Sequence, residues 1–486
     1  MLKKKFPSED SVGRLRQYGT YERLLEGNHY SAYMGEIGDK FSDKYKALRY
    51  MTCNFAGLIS KVMADVLFGE KAIIESSEKN TKEQDFIDAL VYENNLNTQL
   101  YESSLMNSAR GDAVLRIRVE DKQIKIEDIN PAMYFPTIGK NFRDDPSEKK
   151  LVWKEYLNND KGKQTTYLIE ETYTKGVIET NIYEMKGKDE QEVVKRITVK
   201  DYNALAGTTY EEKVDTGIEE IPIVHIPNFR VNNNYFGMSD YHDLESLFFA
   251  INNRMTSIDN ILDKHSDPIL AVPEGVLDEK GNVRKEALQM FEFREGEDKP
   301  EYIVWNANLD MAFQQIDEII KTIFLIGEVS PDVVGLDSGK TSAESGRALK
   351  LRMLRTLAKK NRKGLYYELG IQKAIEIASM FAKAGNVVGD ITYKGDPIIP
   401  NVMFADGVVD DKVEEIQNEM LKLESGLSSQ KSSIKVVEDF NDEQAMARIK
   451  EIKEDKADRA DFNSDNLFHQ YQAEVNKKDK GINNEE

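Results

Sequence analysis

The sequence has very little of several features that define common protein classes. It contains one cysteine, Cys53, among 486 residues, so no disulfide can form within the chain and a reducing compartment is expected. No apolar run approaches the ~18 residues that a membrane-spanning helix needs, so no membrane partner is expected. Hydrophobic residues nevertheless make up 40% of the chain. This is enough for a buried core, which excludes disorder along the whole chain.

The sequence also lacks the excess of positive charge that binds nucleic acid. It has 66 Lys and Arg against 86 Asp and Glu, which gives a net charge of −20 at pH 7. A chain this acidic is repelled by phosphates at long range, which excludes binding to nucleic acid through bulk charge. The length suggests about three compact domains, or fewer and larger ones. We therefore expect a soluble, acidic, intracellular protein.

The sequence contains no complete signature of a catalytic or metal site. Its 5 histidines show no H-E-x-x-H spacing, and there is no cysteine pair and no G-x-S-x-G motif. The string Gly339-Lys340-Thr341 resembles the end of a P-loop, but Val334 replaces the required first glycine and no strand is predicted before it. We expect no catalytic residue, metal or cofactor. A nucleotide-binding enzyme that uses this string stays open as an alternative.

The N-terminal third has the periodicity of helices. Apolar residues recur every three or four positions from Lys44 to Phe68, which predicts one amphipathic helix that ends at Gly69. The same spacing predicts helices over Lys82–Glu93 and Thr98–Arg110, the latter ending at Gly111.

The pattern then changes to the alternation of β-strands. Ala113–Val119 and Gln123–Ile129 alternate, with Glu120-Asp121-Lys122 between them as a hairpin turn. Further strands are predicted over Leu151–Tyr156, Thr165–Thr174, Val177–Tyr183 and Val193–Val199. The fold class expected is therefore α+β.

Helices return in the second half of the chain. Two long helices, Ser239–His265 and Leu309–Ile326, flank a compact insert with short strands near Ile269–Val272 and Tyr302–Trp305. No proline occurs between Pro331 and Pro397, so a long helix over Ala343–Ala384 is allowed. Shorter helices are predicted within residues 410–458, with Asn441 and Gln444 as a capping box. A polar tail follows.

One helix carries a concentration of cations that is unusual for so acidic a chain. Two interpretations explain this concentration of cations. The helix has a solvated face that pairs with acidic neighbours, including those of another subunit, or it has a stripe that faces phosphates. The first interpretation is favoured. The cations singled out are Arg347, Lys350, Arg352, Arg355, Lys359 and Lys360, followed by Arg362 and Lys363.

Several strings, in their order along the chain, resemble those of tailed-bacteriophage portal proteins. The resemblance covers most of the chain between about residues 20 and 460. It is weak at the N-terminus, within residues 158–215 and in the tail. The strings are Asn54–Glu70, Asn130–Pro136, Ile221–Asn228, Gly237–Asp240, Asn252–Arg254, Asp263–Pro268, Ser342–Lys350 and Asp410–Ser433.

The resemblance implies a homo-oligomeric ring of about twelve subunits around a channel for double-stranded DNA. Such a ring occupies one capsid vertex of the virion, after assembly in the host cytoplasm, and serves genome packaging, retention and ejection. The implied partners are terminase, capsid or scaffold proteins and head-completion (adaptor) proteins. Another capsid-associated scaffold or adaptor protein remains a further alternative.

The resemblance also implies a division of the chain. A wing of N-terminal helices plus an antiparallel β-rich unit would cover residues 1–238, with stem helices at 239–266 and 309–329 and a small α/β clip at 267–308. The tunnel loop and long wing helix would cover 330–384, an α-helical crown 385–461 and a flexible tail 462–486. The DNA-facing residues of the tunnel loop would be Asp337, Ser338, Gly339, Lys340, Thr341 and Ser342.

Overall fold

The fold of the chain is mixed α and β, as the sequence predicts. A computed structural model describes residues 5–37, 50–76, 81–158, 164–186, 191–231, 233–265, 269–271, 301–303, 309–336, 350–405, 412–438, 440–441 and 444–454. The chain divides into two compact units. The first comprises Met1–Thr341 and Arg352–Gly407, and the second comprises Ser342–Leu351 and Val408–Glu486.

The first unit begins with a series of helices. The predicted helix over Lys82–Glu93 is confirmed, and the next one ends at Gly111, whose positive φ of 90° suits glycine. The whole series consists of α1 (Glu9–Leu25), α2 (His29–Ala32), α3 (Met34–Ile37), α4 (Phe55–Phe68), α5 (Lys82–Glu93) and α6 (Leu96–Arg110).

Helix α4 starts later than its periodicity predicts. The prediction began at Lys44, whereas residues 50–54 are not helical and Asn54 caps the helix by accepting a hydrogen bond from the Gly57 N–H at 2.8 Å. The preceding backbone is held by other partners, because Cys53 N–H donates to Asn252 Oδ1 at 2.8 Å and Met51 N–H to Thr256 Oγ1 at 2.9 Å. Tertiary hydrogen bonds therefore replace the helical ones here.

Two larger sheets follow. The predicted hairpin forms with Asp121 and Lys122 at its turn, both at positive φ (49° and 64°) as a two-residue hairpin turn requires. One sheet contains β2 (Asp112–Glu120), β3 (Gln123–Ile129), β10 (Ile223–Pro227), β13 (Val387–Val388) and β14 (Ile391–Thr392). The order of these strands across the sheet is β10-β2-β3-β13-β14.

The second sheet is antiparallel. Its strands are β4 (Tyr134–Pro136), β5 (Lys149–Asn158), β6 (Gln164–Thr174), β7 (Val177–Lys186), β8 (Glu192–Ile197) and β9 (Lys213–Asp215). Their order is β4-β5-β6-β7-β8, with β9 also paired to β7. The last predicted strand ends at Ile197 instead of Val199, because Thr198 caps a short helix, α7 (Val199–Ala206).

Two long helices then pack together, α8 (Glu245–His265) and α9 (Asp310–Ile326). The predicted start of α8 at Ser239 is wrong, since the Ser239 hydroxyl accepts from Tyr241 N–H at 3.0 Å and residues 240–244 form turns. Between the helices, β11 (Ile269–Ala271) pairs antiparallel with β12 (Glu301–Ile303). The rest of the predicted insert lies outside the described residues.

The longest helix in the described part of the chain is α10 (Leu354–Lys383), and its predicted C-terminal end is confirmed. The predicted N-terminal part, residues 343–349, lies outside the described residues. Residues 387–403, which the resemblance implied to be part of the crown, belong to the first unit and contain three short strands. Of these, β13 pairs with β3, and β15 (Asn401–Met403) pairs with β1 (Ile73–Glu75).

Two hydrophobic cores fill the helical part of the first unit. One joins α4, α5, α6 and α10 to the β10-β2-β3 sheet, with Phe86, Ile226 and Ile375 fully buried. The other joins α1, α4, α8 and α9 around Met63 and Phe248. No helix in the part of the chain that the structure describes is long and apolar enough to cross a membrane.

The second unit contains α11 (Lys412–Glu424), α12 (Gln430–Glu438) and a helix over residues 444–454. The predicted capping box is confirmed: Gln444 N–H donates to Asn441 Oδ1 at 2.9 Å, and Asn441 N–H donates to Gln444 Oε1 at 3.0 Å. Ile416, Met420 and Leu423 of α11 are all exposed. In this unit an amphipathic helix thus leaves its apolar side chains uncovered.

Candidate functional site

The cation-rich stretch predicted from the sequence extends into the first half of α10, which carries five of its members: Arg355, Lys359, Lys360, Arg362 and Lys363. Lys359 and Lys363 are one helical turn apart on the same face as Tyr367, which belongs to the hydrophobic core. Both lysines are therefore carried into the interior, where they are 3% and 2% exposed. A buried ammonium group needs a carboxylate or carbonyl partner.

That carboxylate is Asp240, which lies just before α8. Its Oδ1 is 3.2 Å from the Lys359 Nζ and its Oδ2 is 2.7 Å from the Lys363 Nζ. The Ser108 hydroxyl and the Asn228 side-chain amide donate to the same carboxylate at 2.6 and 3.0 Å. Asp240 thus holds together three parts of the chain, which are α6, α10 and the segment that follows β10. We call this group of residues the Asp240 cluster (Ser108, Asn228, Asp240, Lys359 and Lys363).

The backbone that carries Asp240 approaches α6 very closely. A Cβ atom on Gly237 would lie 2.1 Å from the carbonyl oxygen of Gly111, so only glycine fits there. The approach also lets Asp240 N–H donate to the Ser108 carbonyl at 2.9 Å. Two glycines far apart in sequence therefore place the carboxylate.

The charges of the cluster support one another. Burial alone would raise the pKa of Asp240, but the ammonium groups of Lys359 and Lys363 outweigh it and hold that pKa well below its usual value. Burial lowers the pKa of Lys363 to about 8, against the opposing effect of Asp240. The ion pair therefore remains charged at neutral pH.

The cluster reaches α9 through Lys359. Its Nζ donates to the carbonyl of Gly327, the residue after the last turn of α9, at 2.8 Å. A cation at this position also interacts favourably with the helix dipole. Lys359 therefore connects the end of α9 to Asp240, which lies in the segment just before α8.

The neighbouring cations pair with acids that follow α9. Arg355 lies 2.8 Å from Glu328, which also pairs with Arg362, and Arg352 lies 3.3 Å from Asp332. Lys360 is buried and its Nζ donates to the carbonyl of Ala405. The described cations of α10's first half thus have partners inside the first unit.

This arrangement corrects part of the expected role of the basic helix. Lys359 and Lys360 lie inside the fold, because their ammonium groups neutralise or bond to groups of their own chain, so neither DNA nor another subunit can reach them directly. Arg352 and Arg355 are exposed, and Lys350 belongs to the second unit. Arg347 and all six predicted tunnel-loop residues lie outside the described residues.

Asp240 was not recognised as a site residue from the sequence. The available signal was the coincidence of two lysines at i and i+4 with the apolar face of a long helix, which requires a buried acid somewhere in the chain. The position of that acid, more than a hundred residues earlier, could not be read from local spacing.

The cluster holds elements of the first unit together. The groups that contact its carboxylate, on Ser108, Asn228, Lys359 and Lys363, are all donors. Among the described residues, no group of three His, Cys, Asp or Glu side chains is placed to hold a metal ion. Before Gly335, the chain forms helix α9 and a 3-10 turn over Pro331–Val334, where a P-loop would need a strand.

Comparison with known proteins places the chain in a family. No curated protein matches it. Among matching solved structures is a chain from the neck of an empty GTA particle computed with C6 symmetry, with 12% identity, a TM-score of 0.46, and coverage of 79% of this chain and 89% of the other. The sequence model described as "Phage portal protein, SPP1 Gp6-like" matches residues 9–459. Because that match spans nearly the whole sequence, the chain belongs to the SPP1 Gp6-like family of phage portal proteins.

Proposed function

We propose that copies of this portal protein close into a ring of about twelve subunits whose central channel conducts double-stranded DNA at one capsid vertex. The observation that carries the proposal is the match of the portal family over residues 9–459. Membership does not favour the alternative of a nucleotide-binding enzyme. We assign the chain a structural role, with assembly in the host cytoplasm.

The arrangement of α8 and α9 supports their assignment as the two stem helices. They pack together through apolar residues such as Ile258, Ile316 and Ile323, and they flank the β11–β12 pair, which we assign to the clip. Their other ends meet at the Asp240 cluster. We infer that this cluster fixes the stem on α10, the proposed wing helix, so that force on the channel reaches the wing without local unfolding.

The charge of the chain suits a channel that DNA passes through. A protein that neutralises many phosphates holds DNA tightly, which would stall translocation. Here the cations of α10 are paired with acids of the same chain, and the net charge is −20. We propose that the duplex slides past an acidic wall and meets only a few polar or basic groups of the tunnel loop, Asp337–Ser342.

Exposed apolar side chains support contact with other copies. On α11, Met420 and Leu421 are 55% and 62% exposed, and on α9 Met311 is 70% exposed. We propose that neighbouring subunits cover these side chains in the ring. We assign α11 and the helices after it to the crown, and we expect terminase, capsid or scaffold proteins and adaptor proteins as further partners of the ring.

The tunnel-loop assignment is tested by replacing Lys340 with alanine and, separately, residues 337–342 with a Gly-Ser segment. We expect particles assembled with either variant to contain shorter DNA or to fill less often. The matched control is Lys394→Ala, which removes an exposed cation of the first unit. Packaging that is indifferent to both loop changes would remove the DNA-facing role from this loop.

A further inference from the structure

A row of exposed leucines runs along the outer face of α10. Leu354, Leu365 and Leu369 are 62%, 63% and 66% exposed. Because each residue turns an α-helix by about 100°, all three lie within about 60° of one side of the helix. The opposite side is buried, with Ile371 and Ile375 in the hydrophobic core. The leucine stripe (Leu354, Leu365 and Leu369) therefore faces away from that core.

One border of the leucine stripe is positively charged. Arg355 and Arg362 lie two turns apart along it, and their side chains are 71% and 43% exposed. Both arginines pair with the same carboxylate, that of Glu328. Two guanidinium groups that share one carboxylate leave a positive charge on this border. The stripe is thus suited to an apolar surface that has an acidic edge.

The same unit carries a groove of that kind. The groove has a volume of about 340 Å³ and lies between β1 and α5. Its apolar lining comes from Ala72, Ile74, Val91 and Tyr92, and Tyr92 is 79% exposed. An open groove with an exposed aromatic side chain at its edge can receive apolar side chains from another molecule. We call it the β1–α5 groove (Ala72, Ile74, Val91 and Tyr92).

The β1–α5 groove is acidic where the leucine stripe is basic. Residues 70–93 contain seven Asp and Glu against three Lys, a net charge of −4. Asp88 lines the groove, and Asp85 lies one turn before it on α5. Both are exposed, and neither forms an ion pair within the described part of the chain. Lys71 also lines the groove, but the acids outnumber the cations around it.

The groove and the stripe both point outward from a shared core. Ile74 of β1 and Phe86 of α5 are buried in the same hydrophobic core as the inner side of α10. Alternation along β1 turns Ile73 outward, where it lies opposite Met403 of β15, and both side chains are exposed. One unit therefore presents two different apolar surfaces. A heterologous contact between identical copies needs two such surfaces.

We infer that the leucine stripe of one copy packs into the β1–α5 groove of the next copy. Leu365 and Leu369, one turn apart, enter the groove, and the arginine border lies against Asp85 and Asp88. DNA does not fit this groove, because phosphates bring no apolar side chain and are repelled by its acids. The inference rests on the proposed ring, since it names two surfaces through which neighbouring subunits join.

Replacing an exposed leucine tests the stripe. We expect Leu365→Asp to reduce the fraction of full-length protein found in rings at least tenfold, as measured by mass photometry. The matched control is Leu205→Asp, at a leucine of α7 that is 66% exposed and lies outside both surfaces. Its ring fraction should stay within twofold of wild type. Urea midpoints establish that both variants are folded.

Chemical cross-linking identifies the surface that the stripe contacts. Asn361→Cys, beside the leucine stripe, and Lys71→Cys, in the groove, are each made in a Cys53→Ser background. The two variants are co-expressed with different tags and treated with a short bis-maleimide. We expect dimers that carry both tags, at a yield at least tenfold above that of a control pair in which Lys200→Cys replaces Lys71→Cys. Lys200 is an exposed lysine of α7.

The outcomes separate this inference from the proposed function. The pairing of stripe and groove is overturned if Leu365→Asp forms rings as readily as wild type, because the stripe is then open to a different partner. It is also overturned if the cross-links are no more frequent than in the control pair. Either result leaves the ring itself intact. A wild-type protein that forms no rings would overturn the proposed function, and the inference with it.

Discussion

At the scale of single residues, Asp240 explains why a highly acidic protein can bury two lysines in one helix. Its carboxylate is 1% exposed and lies between Lys359 and Lys363. A buried charge that loses its partner costs far more than an exposed one, because nothing else in the interior solvates it. Removing this carboxylate should therefore cost more stability than removing the acid of an exposed ion pair.

We predict that Asp240→Asn lowers the free energy of unfolding by about 3–5 kcal/mol, since two ammonium groups are left without a counter-charge. Urea denaturation of the full chain measures this. The matched control is Asp396→Asn, which removes the partner of Lys383 at a site where the Asp396 side chain is 96% exposed. That control should cost less than about 1 kcal/mol. Equal effects of the two substitutions would contradict the assigned role of Asp240.

The same residue predicts a pH dependence. The folded-state pKa of Asp240 is depressed below its usual value of 3.8, so its contribution to stability is fully present above about pH 4 and is lost as the pH falls further. The advantage of wild type over Asp240→Asn should therefore shrink by about 1.4 kcal/mol per pH unit below pH 4. Urea midpoints of both proteins from pH 6 to 2.5 measure it. A constant difference across this range would contradict the shift.

At the scale of elements, the starts of helices depend on side chains that cap them. Asn54 caps α4 and also donates to the Leu25 carbonyl at 3.1 Å. Asn54→Ala should cost about 1–2 kcal/mol, since both contacts are lost. Ser8, the residue before α1, makes no side-chain cap bond, so Ser8→Ala is the control and should cost a few tenths. Thermal unfolding of the two variants measures both losses of stability. If Asn54→Ala costs as little as Ser8→Ala, the capping role of Asn54 is contradicted.

A second element-scale prediction concerns the contact between α10 and β10. A Cβ atom on Gly370 would lie 2.4 Å from Ile226 Cδ1, and Ile226 is fully buried and cannot move away. Gly370→Ala should therefore destabilise the protein by about 1–3 kcal/mol despite its better helix propensity. In α1, Gly19 has nothing within 4 Å, so Gly19→Ala should stabilise it by up to about 1 kcal/mol. Stabilisation by both changes, in urea denaturation, would contradict the close packing.

The same elements indicate what the sequence could predict. Periodicity and end signals identified α5, α6, α9 and the β2–β3 hairpin, because their boundaries depend on neighbours in the chain. The predicted starts of α4 and α8 were wrong for different reasons. Asn252, from elsewhere in the fold, accepts the hydrogen bond of the Cys53 N–H, whereas the Ser239 hydroxyl accepts from the nearby Tyr241 N–H in the turn before α8. The burial of Lys359 and Lys360 was missed for a related reason: their partners, Asp240 and Ala405, are distant in sequence.

At the scale of the whole molecule, the distribution of charge follows from these contacts. The chain carries −20 overall, and the described cations of α10's first half are paired within the first unit instead of facing a ligand. Cations that are already paired are poorly placed for tight phosphate binding, which agrees with the proposal of a channel that conducts DNA without holding it.

Closure into a ring is the central claim of the proposed function, and electron microscopy of the purified full-length protein tests it most directly. A heterologous contact repeated between identical subunits either closes or extends into a filament. We predict closed rings of about twelve subunits with a central channel wide enough for duplex DNA. A monodisperse monomer without a central opening, especially one that binds nucleotide, would contradict the account.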